Sequence, residues 1–246
     1  GYADAFLGDL NSEGEYTRID SVIFISDEIS SLGALGGRSS STLMPTIRTG
    51  WSGGNLGSSN SKTRNAKTKP EITQGTYRSS VIVCVQPKSA HIIIGDDDGT
   101  AQRFLWAPAV DTRITRHVET NIIIERLNIC TDWRGLAAVG NIIAIPDAAA
   151  EAIADSRVLT SHGKVPLLDG HTLFARLKLA VAIAVLSGTW IMTQQHWEWA
   201  GIAVRVSDHT RDALIAAAED RQRADAAKRG QIRAVGHPRE RADERA

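Results

Sequence analysis

Cysteine is nearly absent from these 246 residues, and so is any long apolar run. Cys84 lies inside an apolar stretch and Cys130 stands far from it along the chain, so neither a disulfide framework nor a cysteine zinc site can be read. A reducing, cytoplasmic setting is the expectation that goes with this cysteine use. The longest apolar run, Leu179 to Leu186, is far short of the ~20 residues a membrane span requires, so no membrane partner is expected. Nor is a secretory signal visible in the first residues. Excess charge is missing too: 28 Lys and Arg balance 28 Asp and Glu, so bulk charge does not argue for nucleic acid and only local charge could. His162, His196 and His209 lack the spacing of metal ligands, and there is no internal repeat. What remains is a globular composition, 42% hydrophobic and 23% charged, long enough for one or two domains.

Against that background one stretch stands out. Ser21-Val22-Ile23-Phe24-Ile25-Ser26 is a β-branched and aromatic run that ends in Asp27 and Glu28. It reads as a strand buried on both faces. Carboxylates at the C-terminal edge of such a strand sit where open α/β sheets bind ligands. Asp followed by Glu there is the arrangement of a nucleoside-triphosphatase Walker B strand, with Asp27 holding Mg²⁺ and Glu28 polarising the attacking water. The plainer alternative is a strand running into an acidic helix N-terminus. No G-x-x-x-x-G-K-[ST] occurs in the chain, and the Gly-rich stretch from Gly50 to Gly57 lacks the Lys-Ser/Thr ending. The phosphate-binding loop is therefore expected in a longer protein, ahead of residue 1.

Residues 1–112 read as α/β and 146–216 as helical, joined by a segment 113–145 with no clear period. A short helix is expected from Ser41 to Ile47, a polar loop from Gly50 to Tyr77, and a second buried strand from Ser80 to Gln86, stopped by Pro87. A third short strand is expected to begin at Arg103-Phe104-Leu105-Trp106, after a turn at Asp96 to Gly99. Asp169 can cap a helix from His171 to Ser187 with Gly188 as its stop, and Thr193 can cap another running towards Leu214. Residues 217–246, rich in Ala, Arg, Asp and Glu, read as a fraying helix and a disordered tail.

Four further groups of residues could carry chemistry. Gln86 ends the second strand, where a polar side chain beside Walker B can sense the γ-phosphate or can simply close the strand before Pro87. Arg103 has the always-cationic planar fork that suits γ-phosphate charge, and it suits a structural ion pair equally well. Lys62, Arg64, Lys67 and Lys69 make the Gly50–Tyr77 loop basic against the single acid Glu71. Such a loop can track the backbone of single-stranded DNA, or it can be plain solvated surface. His171, Arg176 and Lys178 share the start of an apolar helix, either as lid cations touching nucleotide or as cations flanking a core helix. Trp190, Trp197 and Trp199 are expected to pack the helical region.

Several of these segments recur together in one order: Ser26-Asp27-Glu28, Thr42 to Pro45 with Arg48 and Trp51-Ser52-Gly53, Gly75 to Ser79, Gln86-Pro87, and Gly99 to Trp106. Leu168 to His171, Arg176 to Ala180, and Trp197 through Asp208 continue it. Over roughly residues 1 to 215 the chain resembles the C-terminal half of actinobacterial phage and mobile-element replication proteins. These join a primase/polymerase module to a P-loop ATPase of helicase type. The resemblance implies an α/β P-loop NTPase core (RecA/AAA+-like) without its Walker A segment, followed by an α-helical lid. It implies Walker B roles for Asp27 and Glu28, a sensor role for Gln86 and an arginine finger at Arg103, with ATP and Mg²⁺ as cofactors. Single-stranded DNA and a homo-oligomeric ring are the partners implied. A non-hydrolysing DNA-binding or scaffolding module is the alternative.

Overall fold

The computed structural model describes residues 2–13, 15–30, 42–57, 71–94, 99–110, 129, 142–164 and 169–236. The chain is mixed α/β and divides into two compact units, Gly1–Thr100 with Leu214–Ala246 and Ala101–Ala213. Of the segment 113–145, only residues 129 and 142–145 are described, and the loop cations Lys62, Arg64, Lys67 and Lys69 lie outside the described residues.

The first unit begins with a 3-10 turn, Ala3–Phe6, that leads into an antiparallel hairpin of β1 (Leu7–Leu10) and β2 (Tyr16–Arg18). Asn11 fastens the turn between them: its Oδ1 accepts from the Glu13 and Glu15 amides at 3.0 and 2.8 Å. β3 (Ser21–Ser26) follows and pairs in parallel with β4 (Arg78–Val83), Ser21 opposite Arg78 and Ser26 opposite Val83. Between the two strands lies α1 (Leu43–Trp51), where the expected helix appears and extends further. Pro45 is tolerated because it falls in the first turn, where an amide would have no helical partner.

Burial alternates strictly along both strands. Val22 and Phe24 turn towards a core of Phe6, Leu56 and Ile72, which Tyr2 and Tyr77 complete. Tyr2 stacks on Phe24 with centroids 4.4 Å apart, and Tyr77 meets Phe6 edge-on at 5.1 Å. The opposite face carries Ile23, Ile25 and Ile82, which are 64%, 70% and 55% exposed. This corrects the expectation of strands buried on both faces. Apolar residues occupy both sides, but the core just described covers only one. Leu56 and Ile72 correct the reading of Gly50–Tyr77 as a polar loop: they form an isolated antiparallel bridge and are each 1% exposed. Gly50 lets this core close, since a Cβ there would stand 2.9 Å from the Tyr2 hydroxyl oxygen. After β4 come a 3-10 turn, Pro87–Ser89, and the short α2 (His91–Ile94).

In the second unit a 3-10 turn, Ala101–Arg103, precedes α3 (Asp147–Ser161), α4 (Asp169–Leu186) and the start of α5 (Gln194–Gly236). The strand expected at Arg103–Trp106 does not form. Trp106 is instead held by single bonds, its amide donating to Ser207 Oγ at 2.8 Å and its indole to the Ala101 carbonyl at 3.0 Å. α4 begins at Asp169 itself and ends in a Schellman motif. The Thr189 amide reaches the Ala184 carbonyl at 3.0 Å, the Gly188 amide reaches Val185 at 3.1 Å, and Gly188 has φ +84°. Trp197, Met192, Ala149, Ala180 and Ala200 form the buried core of the unit. α5 runs on past Leu214 to Gly236, so residues 217–236, within the stretch expected as a fraying helix and a disordered tail, are helical. Arg223 spans to Glu219 at 3.0 Å and to Asp220 at 3.2 Å along it. Among the described residues, no helix is long and apolar enough to cross a membrane.

Candidate functional site

The parallel pairing of β3 with β4 brings three of the sequence-derived residues to one edge. The ladder runs past its last strand residues through the Cys84 amide to the Ser26 carbonyl (3.0 Å) and the Ile29 amide to the Cys84 carbonyl (3.1 Å). Asp27 and Glu28 leave β3 at that end, just before the chain turns helical at Ile29. Gln86 leaves β4 at the same end, still extended (φ −80°, ψ 144°), and its carbonyl accepts the Ser89 amide at 2.8 Å to start the 3-10 turn. All three side chains are exposed. Glu28 is also steered locally: Ser30 Oγ donates to Glu28 Oε2 at 3.0 Å, and Ser26 Oγ donates to the Glu28 carbonyl at 2.9 Å. The sequence reading missed Ser30, whose only signal is a hydroxyl two positions beyond the carboxylate.

Arg103, Arg176 and Lys178 belong to the second unit. Arg103 closes the 3-10 turn that packs on α4, and it faces His171. Burial holds the His171 imidazole below the usual histidine range, and the Arg103 charge pushes it the same way. Such a ring binds its proton at lower pH in the folded chain than in the unfolded one. Stability should therefore fall as pH drops below the unfolded value, about 6.5, and level off below the folded value. His171→Gln should flatten that fall, read as the urea midpoint at pH 7.5, 6.5 and 5.5. An unaltered profile would mean that His171 does not contribute.

Arg176 is engaged within its own unit. Its Nε and Nη2 donate to the Trp197 carbonyl at 3.1 and 3.0 Å, and the guanidinium covers the Trp197 ring at 3.7 Å. Gly201 makes room for it, because a Cβ there would come within 2.6 Å of Arg176 Nη2. Of the two roles open to Arg176, these interactions are those of a cation flanking a core helix. Lys178 differs. Its ammonium lies 4.5 Å from the Phe174 ring centroid, and burial lowers its pKa to about 8, although much of the residue remains at the surface.

No protein-family model matches this chain, and no curated protein matches it. Among the described residues, no three His, Cys, Asp or Glu side chains gather where they could hold a metal ion. At the β3–β4 edge Asp27 and Glu28 offer exposed carboxylates. Mg²⁺ binds through one or two carboxylates with phosphate oxygens and water.

Proposed function

We propose that this chain is part of an ATP-dependent, helicase-type replication protein in which NTP hydrolysis drives movement along single-stranded DNA. The parallel β3–β4 pair carries the proposal, because it presents Asp27, Glu28 and Gln86 at the carboxyl ends of adjacent strands. That is the edge at which open α/β sheets take their ligands. Asp27 would hold Mg²⁺, and the ion would supply neutralisation of phosphate charge. Glu28, aimed by Ser30, would polarise the attacking water, and Gln86 would orient it. Arg103 would serve as a finger towards nucleotide held by a neighbouring subunit of a homo-oligomeric ring. Arg176 and Lys178 would be the lid cations of this proposal.

Hydrolysis also needs a phosphate-binding loop, and the G-x-x-x-x-G-K-[ST] motif of such a loop does not occur in these 246 residues. The proposal therefore takes the chain as one part of a longer polypeptide that supplies that loop, with a primase/polymerase module as a further proposed part. Purified alone, the 246 residues are expected to show no ATP turnover. The longer polypeptide, carrying G-x-x-x-x-G-K-[ST], is expected to hydrolyse ATP with stimulation by single-stranded DNA. Turnover by the 246 residues that Glu28→Gln abolishes would overturn the need for the loop. A natural full-length polypeptide without the motif and without turnover would favour the second reading, a non-hydrolysing DNA-binding or scaffolding module.

DNA binding is proposed for the basic loop. Replacing Lys62, Arg64, Lys67 and Lys69 together by Ala should weaken single-stranded DNA binding. It should also reduce the slope of log affinity against log salt by roughly 0.7 for each phosphate no longer neutralised. An unchanged slope would make the loop ordinary surface.

A further inference from the structure

The first turn of α5 holds a buried histidine that the ATPase proposal does not use. His196 is 6% exposed, and its Nδ1 lies 3.2 Å from the Thr193 backbone nitrogen and 3.1 Å from Thr193 Oγ1. In return the His196 amide donates to Thr193 Oγ1 at 3.4 Å. This is a reciprocal helix cap at the spacing normally filled by Ser or Thr and then Glu or Gln, with an imidazole as the third-residue partner. A backbone amide only donates, so Nδ1 must offer its lone pair, and the proton of the neutral ring sits on Nε2.

We propose that this cap is a proton-operated clasp. Neutral His196 holds the first turn of α5 closed, and protonated His196 releases it. A proton on Nδ1 sets a donor against the Thr193 amide. The Thr193 hydroxyl can turn a lone pair to the ring, but the amide loses its partner. The new charge also falls at the positive end of the helix dipole. Arg176 from α4 covers Trp197, the residue after His196, and Arg176 in turn feels the charges of Arg205 and Glu198 on α5. Glu198 already accepts from Gln194 Nε2 at 2.8 Å, while α3 presents Ala148, Ala149 and Ala152 to the same core. Trp197 follows His196 directly, and the Trp197 amide bonds the Thr193 carbonyl at 3.2 Å, so loosening of the turn reaches the centre of the core. The clasp contributes while the ring is neutral and is lost when Nδ1 takes up a proton.

Amide hydrogen exchange by NMR on the whole chain tests this. Between pH 7.5 and 5.5 the protection factor of the Thr193 amide, corrected for intrinsic exchange, should fall roughly fivefold, the size of one lost cap. In His196→Gln, which restores a usual capping residue that takes up no proton, it should stay constant. The same pH response in both proteins would overturn the proposal. A second readout needs no variant: the Thr193 amide resonance should shift with the same midpoint as the His196 ring. An amide that does not follow the ring would overturn it as well.

Discussion

In the proposed ATP-hydrolysing polypeptide, Glu28→Gln is expected to slow turnover about 10²-fold or more while nucleotide binding stays nearly intact, the scale on which positioned acid/base groups act. The substitution is nearly isosteric, and its amide oxygen can still accept the Ser30 hydroxyl that now bonds Oε2. The side chain is exposed at the end of β3, so folding stability should change little. Loss of turnover would then report chemistry, not damage to the sheet. Titration with a fluorescent ATP analogue separates the two steps. Wild-type turnover in the variant would make Glu28 only the carboxylate that precedes the helix start at Ile29. Ser30→Ala is the graded companion: it leaves the carboxylate and removes its tether, and it should lower kcat by less than Glu28→Gln does.

The largest loss of stability is expected from Trp197→Ala, about 3–5 kcal/mol. Trp197 is 3% exposed, and its buried neighbours are Ala149, Ala180, Ala200 and Met192. Three of these four are alanines, whose short side chains cannot swing in to refill the space, so most of the cavity should persist. The Arg176 guanidinium would lose the ring it covers as well. Trp199, 44% exposed, is the internal control. Its truncation should cost a small fraction of that, and equal urea midpoints for the two variants would overturn the assignment of Trp197 as the centre of this core.

Elements that depend on local chemistry were legible in the sequence. The runs at Ser21–Ser26 and Ser80–Gln86 are β-branched enough to announce strands; the first is a strand throughout, and the second spans Arg78–Val83 as β4 and stops before Cys84. Thr193 and Gly188 mark helix ends through hydroxyl capping and positive φ, which act within a turn of the chain. What the sequence hid depends on distant partners. Leu56 and Ile72 are single apolar residues in polar surroundings, and only their pairing across the chain makes them core. Phe104 to Trp106 had strand-like composition, but the Trp106 amide found the hydroxyl of Ser207 instead of a neighbouring strand. The far part of α5 was hard to read because it has little apolar periodicity, and ion pairs such as Arg223 to Glu219 become visible only once the helix is built. At the candidate site the adjacency of Asp27 and Glu28 was plain. That Gln86 shares their edge follows from strand pairing, which periodicity does not specify.

The parallel register between β3 and β4 also bears on the order in which the chain can fold. Joining Ser21 to Arg78 closes a long stretch of polypeptide before the ladder gains its first bond, and the entropy of that closure comes first. The clasped start of α5 and the Schellman end of α4 need only neighbours a few residues away. Helical signal should therefore appear early in refolding, and protection of the Val81 to Val83 amides should come late. Mutations in β3 or β4 should then act on the slow step, whereas changes at Thr193 or Gly188 should act mainly on the faster ones.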